Sequence, residues 1–512
     1  MNQLSIYLND KKYYYTFITL IVFKNHGYIT SFFKGVHNWI FYLDKKKATK
    51  TALFNFAIKI PYYRRQLEDE IFKVQKSIED DTQKLETGIP RITTMPKIGL
   101  SQEVIEENMR FMQEIDKKNA DKLKISGTIY NTPDNDEITL QKRVMDFYYK
   151  SNPLHADIFP SLITMEKDIV SITKTLFHCP KNMGTGTVTT GGTESIILAL
   201  FGYREYAKRT KGIQNPEVIA PSTVHPAFDK GCYYLGIKLH KIKVSDDNLI
   251  DFTQLKWCIN HNTILIVGSA PSFPHGLMDD IATLSKIAKE NSLPLHVDAC
   301  LGGFVLGFLD RGNEFDFSIQ GVTSISADTH KYGCCPKGSS VLIFRDKSMF
   351  ESCYFVQSDW SGGIYATTNL TGSRSGLNLA WTWSMLNYQG FNKLHLQAKN
   401  IREGLERIKN EFKSDSDIYV FGDPSVCVVG FGSKTINIYT LSQKMKHLGW
   451  NLNELQNPPS FHLCLTNCHR EDIIDNFINL RSHYLCCILA IYFNILFRKI
   501  APPSCAFRFA RI

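Results

Sequence analysis

The chain has 512 residues, of which 43% are hydrophobic and 21% are charged. This length and balance exclude wholesale disorder and allow two or three domains with a sizeable core. The formal net charge is +9, but the excess lies in residues 1–65, which hold eleven Lys or Arg and only Asp10 and Asp44 as acids. Because the remainder is neutral overall, the composition does not support a nucleic-acid partner.

Residues 1–65 are predicted to form a basic, aromatic membrane-anchor segment. Two apolar runs, 13–23 and 27–43, fall short of the roughly 20 uninterrupted apolar residues of a clean transmembrane helix. Three interpretations remain: an imperfect transmembrane helix, an amphipathic helix lying in the membrane interface, and an ordinary amphipathic segment. Lysines mixed with aromatic residues suit an anionic membrane surface with the basic side toward the cytosol, and no secretory cleavage site follows.

Residues 66–155 are predicted to be an N-terminal helical segment. Between 66 and 125 apolar residues return every three to four positions, as in an amphipathic helix. Residues 131–137 are polar and predict a turn.

Residues 156–390 contain short β-rich runs separated by helical stretches, which is the pattern of an α/β domain with a largely parallel sheet. The predicted strands are 188–190, 217–220, 263–267, 295–297, 322–326 and 340–344. The predicted helices are 194–208, 226–235 and 280–290. Ligands of such sheets bind beyond the carboxyl ends of the strands.

Residues 391–512 are predicted to form a smaller C-terminal α+β domain, because a long helix over 391–412 leads into shorter strands. The thirteen cysteines are scattered without a Cys-x-x-Cys pair, which favours reduced thiols in a cytosolic domain. Cys464, Cys468 and His469 are candidates for a metal cluster, but no metal site is predicted.

A lysine and an acid indicate which cofactor the chain binds. Asp298 ends one apolar strand, and Lys331 follows a later one in the run from Ser324 to Gly333. Pyridoxal 5'-phosphate (PLP) needs such a pair, since a lysine amine forms a Schiff base with its aldehyde and a carboxylate keeps its pyridine nitrogen protonated. A lone lysine would be an ordinary surface charge, so the prediction depends on the pair.

A candidate cradle for the PLP phosphate lies in residues 188–195, which run from strand to turn to helix. Gly192 lets the backbone approach a ligand closely, and the N–H groups near Thr193 face outward at the helix start. The same Gly-Gly-Thr turn is also a common structural device. His225 follows the next strand and can stack on the pyridine ring, cap a helix or lie in the core, while His330 can reach the cofactor phosphate.

Seven segments resemble the sphingosine-1-phosphate lyase family, within the PLP-dependent group II decarboxylases of the type I, aspartate aminotransferase-like fold. They are 151–160, 190–195, 296–304, 321–340, 359–365, 371–376 and 449–453, and the similarity extends from about 95 to 469. After 470 the pattern fades into an apolar run over 484–497 and a basic tail, so the end of the C-terminal domain is atypical.

The resemblance implies a PLP-dependent aldehyde-lyase that cleaves phosphorylated sphingoid bases, such as sphingosine 1-phosphate, by retro-aldol chemistry to a long-chain aldehyde and phosphoethanolamine. It also implies a homodimer with active sites at the subunit interface, to which residues 66–155 contribute. The implied location is the endoplasmic reticulum membrane, with the catalytic domain facing the cytosol. The alternatives are an amino-acid decarboxylase of the same fold and a degenerate, non-catalytic membrane scaffold.

The resemblance also implies which residues hold the cofactor. Lys331 matches the family's PLP lysine, Asp298 its pyridine partner and His225 its ring-stacking histidine. Gly192 and Thr193 match its phosphate cradle.

Further matches concern a second subunit and the substrate. Gly372 and Ser373 match a turn that reaches the neighbouring subunit's cofactor phosphate. The implied substrate-binding residues are Tyr130, His155 and Lys337 at the substrate phosphate, with Asn152 and Tyr365 lining the pocket. Each also has an ordinary explanation, such as a solvated loop lysine or a core tyrosine.

Overall fold

The computed structural model describes residues 92–120, 123–245, 249–309 and 314–479, together with a few helical positions between 61 and 76. The chain divides into two compact units at the boundary between Lys118 and Asn119. Residues 1–60 of the predicted anchor and the apolar run 484–497 lie outside the described residues. None of the helices within the described ranges is both long and apolar enough to cross a membrane.

The first unit contains most of helix α1 (Gln102–Ala120), which confirms the predicted helical periodicity over this stretch. Its apolar residues Val104, Ile105 and Met109 are exposed.

The second unit is built around a seven-stranded sheet. Its strands are β1 (Thr185–Thr189), β2 (Glu217–Pro221), β3 (Lys238–Ile242), β4 (Thr263–Ser269), β5 (Leu295–Asp298), β6 (Val322–Ala327) and β7 (Ser340–Phe344). Their order across the sheet is β1-β7-β6-β5-β4-β2-β3. Only β7 runs antiparallel to its neighbours, so the predicted, mostly parallel sheet is confirmed.

Helices connect the strands and cover the sheet. They are α2 (Asn135–Tyr148), α3 (Pro160–Leu176), α4 (Gly192–Lys211), α5 (Pro226–Leu235), α6 (Phe252–Cys258), α7 (Ile281–Glu290), α8 (Gly303–Leu306), α9 (Lys347–Glu351), α10 (Gly376–Phe412) and α11 (Ile438–His447). Successive residues of β4 enter different apolar clusters: Ile266 belongs to one, and Leu265 and Val267 to the other. Both faces of the sheet are therefore buried around β4, which accounts for the near-continuous apolar runs of β4 and β7.

Two sequence predictions need correction at helix ends. Residues 135–137 are helical rather than a turn, because Asp134 caps α2 by accepting a hydrogen bond from the Glu137 N–H. Helix α10 begins at Gly376 rather than 391, and its backbone breaks at Gly390, where φ is 64°. The predicted helix 391–412 is the part of α10 beyond this break.

The C-terminal part of the unit forms a four-stranded antiparallel sheet in the order β10-β11-β13-β12. Its strands are β10 (Tyr419–Val420), β11 (Val428–Gly432), β12 (Asn453–Leu455) and β13 (Ser460–Cys464), and a separate hairpin pairs β8 (Phe355–Gln357) with β9 (Tyr365–Thr367). This is the predicted smaller α+β portion.

The segment just before Tyr130 is joined to the C-terminal sheet. The Ser126 N–H donates to the Asn451 carbonyl at 2.8 Å, and the Gly127 N–H donates to the Cys464 carbonyl at 2.9 Å. Buried Ser126 also donates through its hydroxyl to the His462 carbonyl. The position of Tyr130 is thus set by strands that lie more than 300 residues further along the chain.

Candidate active site

Asp298 and Lys331 lie at the carboxyl ends of two neighbouring strands of the central sheet. Asp298 is the last residue of β5 and pairs in register with Ser326 of β6. Its side chain is held by the Cys300 N–H, which donates to Oδ1 at 3.1 Å. Lys331 follows β6 in a tight turn, and its side chain is 21% exposed. Because adjacent parallel strands end at the same edge, both groups occupy the edge where ligands of such sheets bind.

Asp328 is a functional candidate that the sequence analysis missed. Its carboxylate Oδ2 lies 3.0 Å from the Lys331 Nζ and 3.6 Å from the His330 Nε2, with the Asp328 side chain only 3% exposed. Burial alone would lower the pKa of the Lys331 ammonium, but the Asp328 carboxylate raises it above its ordinary value. The only sequence signal was an acid three residues before the lysine, which is uninformative without the burial.

The predicted phosphate cradle lies at the start of α4. Gly191 has a φ of 154°, which favours glycine, and a Cβ on Gly192 would lie 2.9 Å from the Cys300 Sγ. The Thr190 N–H and hydroxyl donate to the Glu194 carboxylate at 2.7 and 2.6 Å, which fixes the turn. The free N–H groups and dipole of this 20-residue helix favour an anion at this end.

Both candidate histidines are held by backbone N–H groups. The His225 Nδ1 accepts from the Ala227 N–H at 3.1 Å, and the His330 Nδ1 accepts from the Ser339 N–H at 3.2 Å. An accepting nitrogen carries no hydrogen, so each neutral ring carries its hydrogen on Nε2. Burial lowers the pKa of His330, which favours this neutral form. His225 caps α5, so its capping role exists alongside the predicted ring-stacking role.

The structure brings Lys337 and Tyr130 together near Lys331. The Lys337 Nζ lies 4.4 Å from the centre of the Tyr130 ring. Tyr130 packs edge-on against Tyr332, the residue after Lys331, with 5.0 Å between ring centres. Burial and the neighbouring Lys331 charge lower the pKa of Lys337, and burial raises the pKa of the Tyr130 phenol.

The remaining predicted residues gather around the Gly-Ser-Arg turn. The Asn152 Nδ2 donates to the Ser373 hydroxyl at 3.1 Å, and the His155 N–H donates to the Asn152 carbonyl. A Cβ on Gly372 would lie 2.7 Å from the Tyr365 hydroxyl. Within the part of the chain that the structure describes, no hydrogen bond or ring contact joins these side chains to Lys331 or Asp298.

Arg374 ties this turn to the cradle strand. It forms a bidentate ion pair with Glu166, with nitrogen–oxygen distances of 2.7 and 3.2 Å. Arg374 also donates to the Val188 carbonyl at 2.6 Å, and Glu166 accepts from the Val188 N–H at 2.9 Å. Both side chains are nearly buried, so the pair joins α3, β1 and the turn in one network.

Comparison with known proteins identifies the family. The pyridoxal-dependent decarboxylase conserved domain matches residues 135–434. Sphingosine-1-phosphate lyase of Drosophila melanogaster is 40% identical over 84% of this chain and 79% of its own length. That of Saccharomyces cerevisiae is 37% identical over 86% of this chain and 78% of its own. The chain belongs to the sphingosine-1-phosphate lyase family.

Solved structures confirm the fold of this lyase. Sphingosine-1-phosphate lyase of Burkholderia pseudomallei is 32% identical, with a TM-score of 0.75, and the match covers 82% of this chain and 99% of that one. Glutamate decarboxylase of Lactobacillus brevis is 21% identical, with a TM-score of 0.67, and shares the fold. The predicted type I architecture and the assignment as a PLP-dependent lyase are therefore correct.

The lyase site fits PLP. A buried amine on Lys331, a held carboxylate on Asp298 and a helix start at Gly192 supply the amine, acid and anion donors that this cofactor needs. The Gly192 cradle has no space for a side chain, because an added Cβ would meet the Asp328 carboxylate at 2.8 Å. In the described residues, no group of three or more His, Cys, Asp or Glu side chains could hold a metal ion.

Proposed function

We propose that this lyase cleaves phosphorylated long-chain bases such as sphingosine 1-phosphate, giving a long-chain aldehyde and phosphoethanolamine. The observation that carries the proposal is the cation of Lys337 beside the phenol of Tyr130, next to Lys331. A lysine and a phenol can both bind a phosphate dianion. The relatives in Drosophila melanogaster and Saccharomyces cerevisiae, both named sphingosine-1-phosphate lyase, support the same substrate.

Six residues of the chain would hold and orient the cofactor. PLP, when bound, supplies an electron sink for the pair released as the substrate's C2–C3 bond breaks. Lys331 provides the amine that holds the cofactor, Asp298 keeps the pyridine nitrogen protonated, and His225 lies against the ring. Gly192 and Thr193 offer backbone N–H groups to the cofactor phosphate, with His330 beside them.

The substrate end of the site would be formed by a second group of residues. Lys337, Tyr130 and His155 would bind the substrate phosphate, and Asn152 and Tyr365 would line the pocket. Because the pKa of Lys337 is lowered by burial, a bound dianion would restore the favourable charged form of its amine.

The rival function is an amino-acid decarboxylase of the same fold, which needs a free cation for a carboxylate. Arg374 is poorly suited to that task, because its guanidinium is already engaged by Glu166 and by the Val188 carbonyl. A degenerate scaffold would not need the buried Lys331 and Asp298. Both rivals therefore explain fewer of the site's residues.

The substrate is tested by incubating the purified protein, loaded with PLP, with sphingosine 1-phosphate and separately with sphingosine, glutamate and aromatic amino acids. The expected result is aldehyde and phosphoethanolamine from the phosphorylated base alone, and none from the Lys331→Ala variant. Carbon dioxide release from an amino acid without aldehyde formation would establish the decarboxylase instead. No product from any substrate, with no cofactor bound to Lys331, would favour the scaffold.

The lyase is further proposed to act as a homodimer in which Gly372 and Ser373 reach the neighbouring subunit's cofactor phosphate. Support comes from the β8–β9 hairpin, where Phe355, Trp360 and Ile364 are 53, 57 and 77% exposed. Such aromatic and aliphatic side chains at a surface favour a protein contact. Mixing inactive Lys331→Ala and Ser373→Asp chains should restore activity through hybrid dimers. Two chains that remain inactive after mixing would contradict a shared site.

Membrane attachment is proposed through residues 1–65, at the endoplasmic reticulum with the catalytic domain facing the cytosol. The basic and aromatic composition of this segment supports it. A fluorescent fusion should follow endoplasmic reticulum membranes, and a fusion lacking residues 1–65 should be released. An unchanged distribution after the deletion would contradict this role.

A further inference from the structure

The Asp328 carboxylate lies where a negative charge is unfavourable once a phosphate is bound nearby. A Cβ on Gly192 would be 2.8 Å from Oδ1 and 3.0 Å from Oδ2, so both oxygens lie directly beneath the first residue of α4. That helix start is the predicted cradle for a phosphate dianion. A carboxylate beneath it would repel the group that the cradle is built to hold.

The two oxygens of Asp328 differ in their partners. Oδ2 accepts from the Lys331 ammonium at 3.0 Å. Oδ1 is buried and has no hydrogen-bond partner among the described residues. A buried, unpartnered carboxylate oxygen is costly, and its cost is offset here only by the neighbouring ammonium. When the Lys331 amine is used to hold the cofactor, Asp328 loses that counter-charge.

We propose that Asp328 is the proton partner of Lys331, holding it as an ammonium while the site is empty and taking its proton when PLP enters. In this step one N–H bond of Lys331 breaks and an O–H bond forms on Asp328. The electron pair left on Nζ would form the bond to the cofactor's aldehyde carbon, and the aldehyde oxygen would leave as water with the two remaining Nζ protons. The carboxyl becomes neutral as the phosphate arrives, so the repulsion beneath Gly192 is removed.

The surroundings of Asp328 favour this exchange. Burial lowers the pKa of its neighbour His330, whose Nδ1 accepts from the Ser339 N–H, so this ring cannot readily replace the lost counter-charge. The titratable groups that interact with Asp328 are Lys331, His330, Lys337, Tyr130 and Cys300. Of these, Lys331 is the nearest, with its Nζ 3.0 Å from Oδ2 against 3.6 Å for the His330 Nε2, so it is the natural source of the proton.

The first test uses infrared difference spectroscopy on the full-length wild-type protein, freed of cofactor and then given PLP. Loading should produce the carbonyl stretch of a protonated carboxyl group. The band should be absent from Asp328→Asn and retained in Asp279→Asn, which removes another buried carboxyl whose pKa burial raises to about 7. If the wild-type spectrum lacks this band, the proton transfer is refuted.

The second test follows cofactor attachment to Lys331 across a pH series, by borohydride reduction and mass measurement of the modified peptide. In Asp328→Asn, the buried Lys331 loses the charge that raises its pKa. The pH of half-maximal attachment should therefore fall by at least about one unit. A profile that coincides with wild type would refute the proposed hold on the ammonium.

The two tests depend neither on the folding of Asp328→Asn alone nor on the identity of the substrate. If Asp328→Asn does not fold, Asp328→Glu keeps the carboxyl and should retain the wild-type profile, whereas the infrared test needs only the wild-type protein. Neither experiment contains a substrate. Failure of this inference would therefore leave the proposed cleavage reaction untouched, and failure of that reaction would leave this inference standing.

Discussion

Breaking the Arg374–Glu166 ion pair should destabilise the protein far more than breaking a surface pair. The two side chains are only 13 and 14% exposed, and their closest contact is 2.7 Å. At an effective dielectric constant of about 20, two charges at this distance attract by about 6 kcal/mol. Arg374→Met leaves the Glu166 carboxylate buried without its partner, which costs about 3–5 kcal/mol.

The loss should be visible in thermal unfolding and in cofactor binding. For a folded unit of roughly 350 residues, about 3–5 kcal/mol lowers the melting temperature by about 4–7 °C. PLP affinity should fall as well, because Val188 at the end of the cradle strand bonds to both partners. The matched control is Lys347→Met, which removes a 3.6 Å pair with Glu351 whose side chains are 80 and 43% exposed. That control should cost less than about 1 kcal/mol.

A double-mutant cycle separates the pair from its surroundings. Arg374→Met combined with Glu166→Leu should be more stable than the sum of the two single losses predicts, by at least about 2 kcal/mol. The reasoning is refuted if Arg374→Met costs no more than the Lys347 control, or if the two single losses simply add.

Three further predictions concern the cradle, the substrate phosphate and pH. Gly192→Ala should weaken PLP binding about tenfold or more, because its Cβ would lie 2.9 Å from the Cys300 Sγ. The control Gly99→Ala, whose Cβ would have no atom within 4 Å, should leave PLP affinity unchanged. Equal affinities of the two variants would contradict the tight cradle. Lys337→Met should raise the KM for a phosphorylated base about 10- to 100-fold while cofactor attachment to Lys331 persists, and an unchanged KM would remove Lys337 from the phosphate site. Burial lowers the pKa of His275 from 6.5 to about 4, so the unfolded chain takes up its proton first and stability falls as pH drops between these values. His275→Phe should reduce the loss of unfolding free energy between pH 7 and pH 5 by about 2 kcal/mol in denaturant titrations, and an unaltered slope would count against a buried neutral His275.

Local patterns in the sequence were sufficient to predict helices and strands of the buried core. The predicted ranges 226–235 and 340–344 coincide with α5 and β7. The edge strand β3 was missed because it is partly exposed and carries Lys238 and Lys241 among its apolar residues. Its position depends on pairing with β2, which no local pattern reveals.

Candidate site residues could be named from the sequence only where they lie in a distinctive local motif. Asp298 ends β5 and Lys331 follows β6, each in a distinctive motif, and the structure places both at the expected end of the sheet. Glu166 and Arg374 lie 208 residues apart, so no spacing rule could connect them. The significance of Asp328 depends on its burial beneath Gly192, which is a property of packing rather than of sequence.

The bonds from Ser126 and Gly127 to the last strands have a consequence for the order of events during synthesis. A nascent chain exposes Tyr130 early, yet the backbone that fixes this tyrosine is synthesised more than 300 residues later. Chains interrupted before residue 464 lack the carbonyl that accepts from the Gly127 N–H. The backbone before Tyr130 therefore reaches its final position only after the C-terminal sheet has been synthesised.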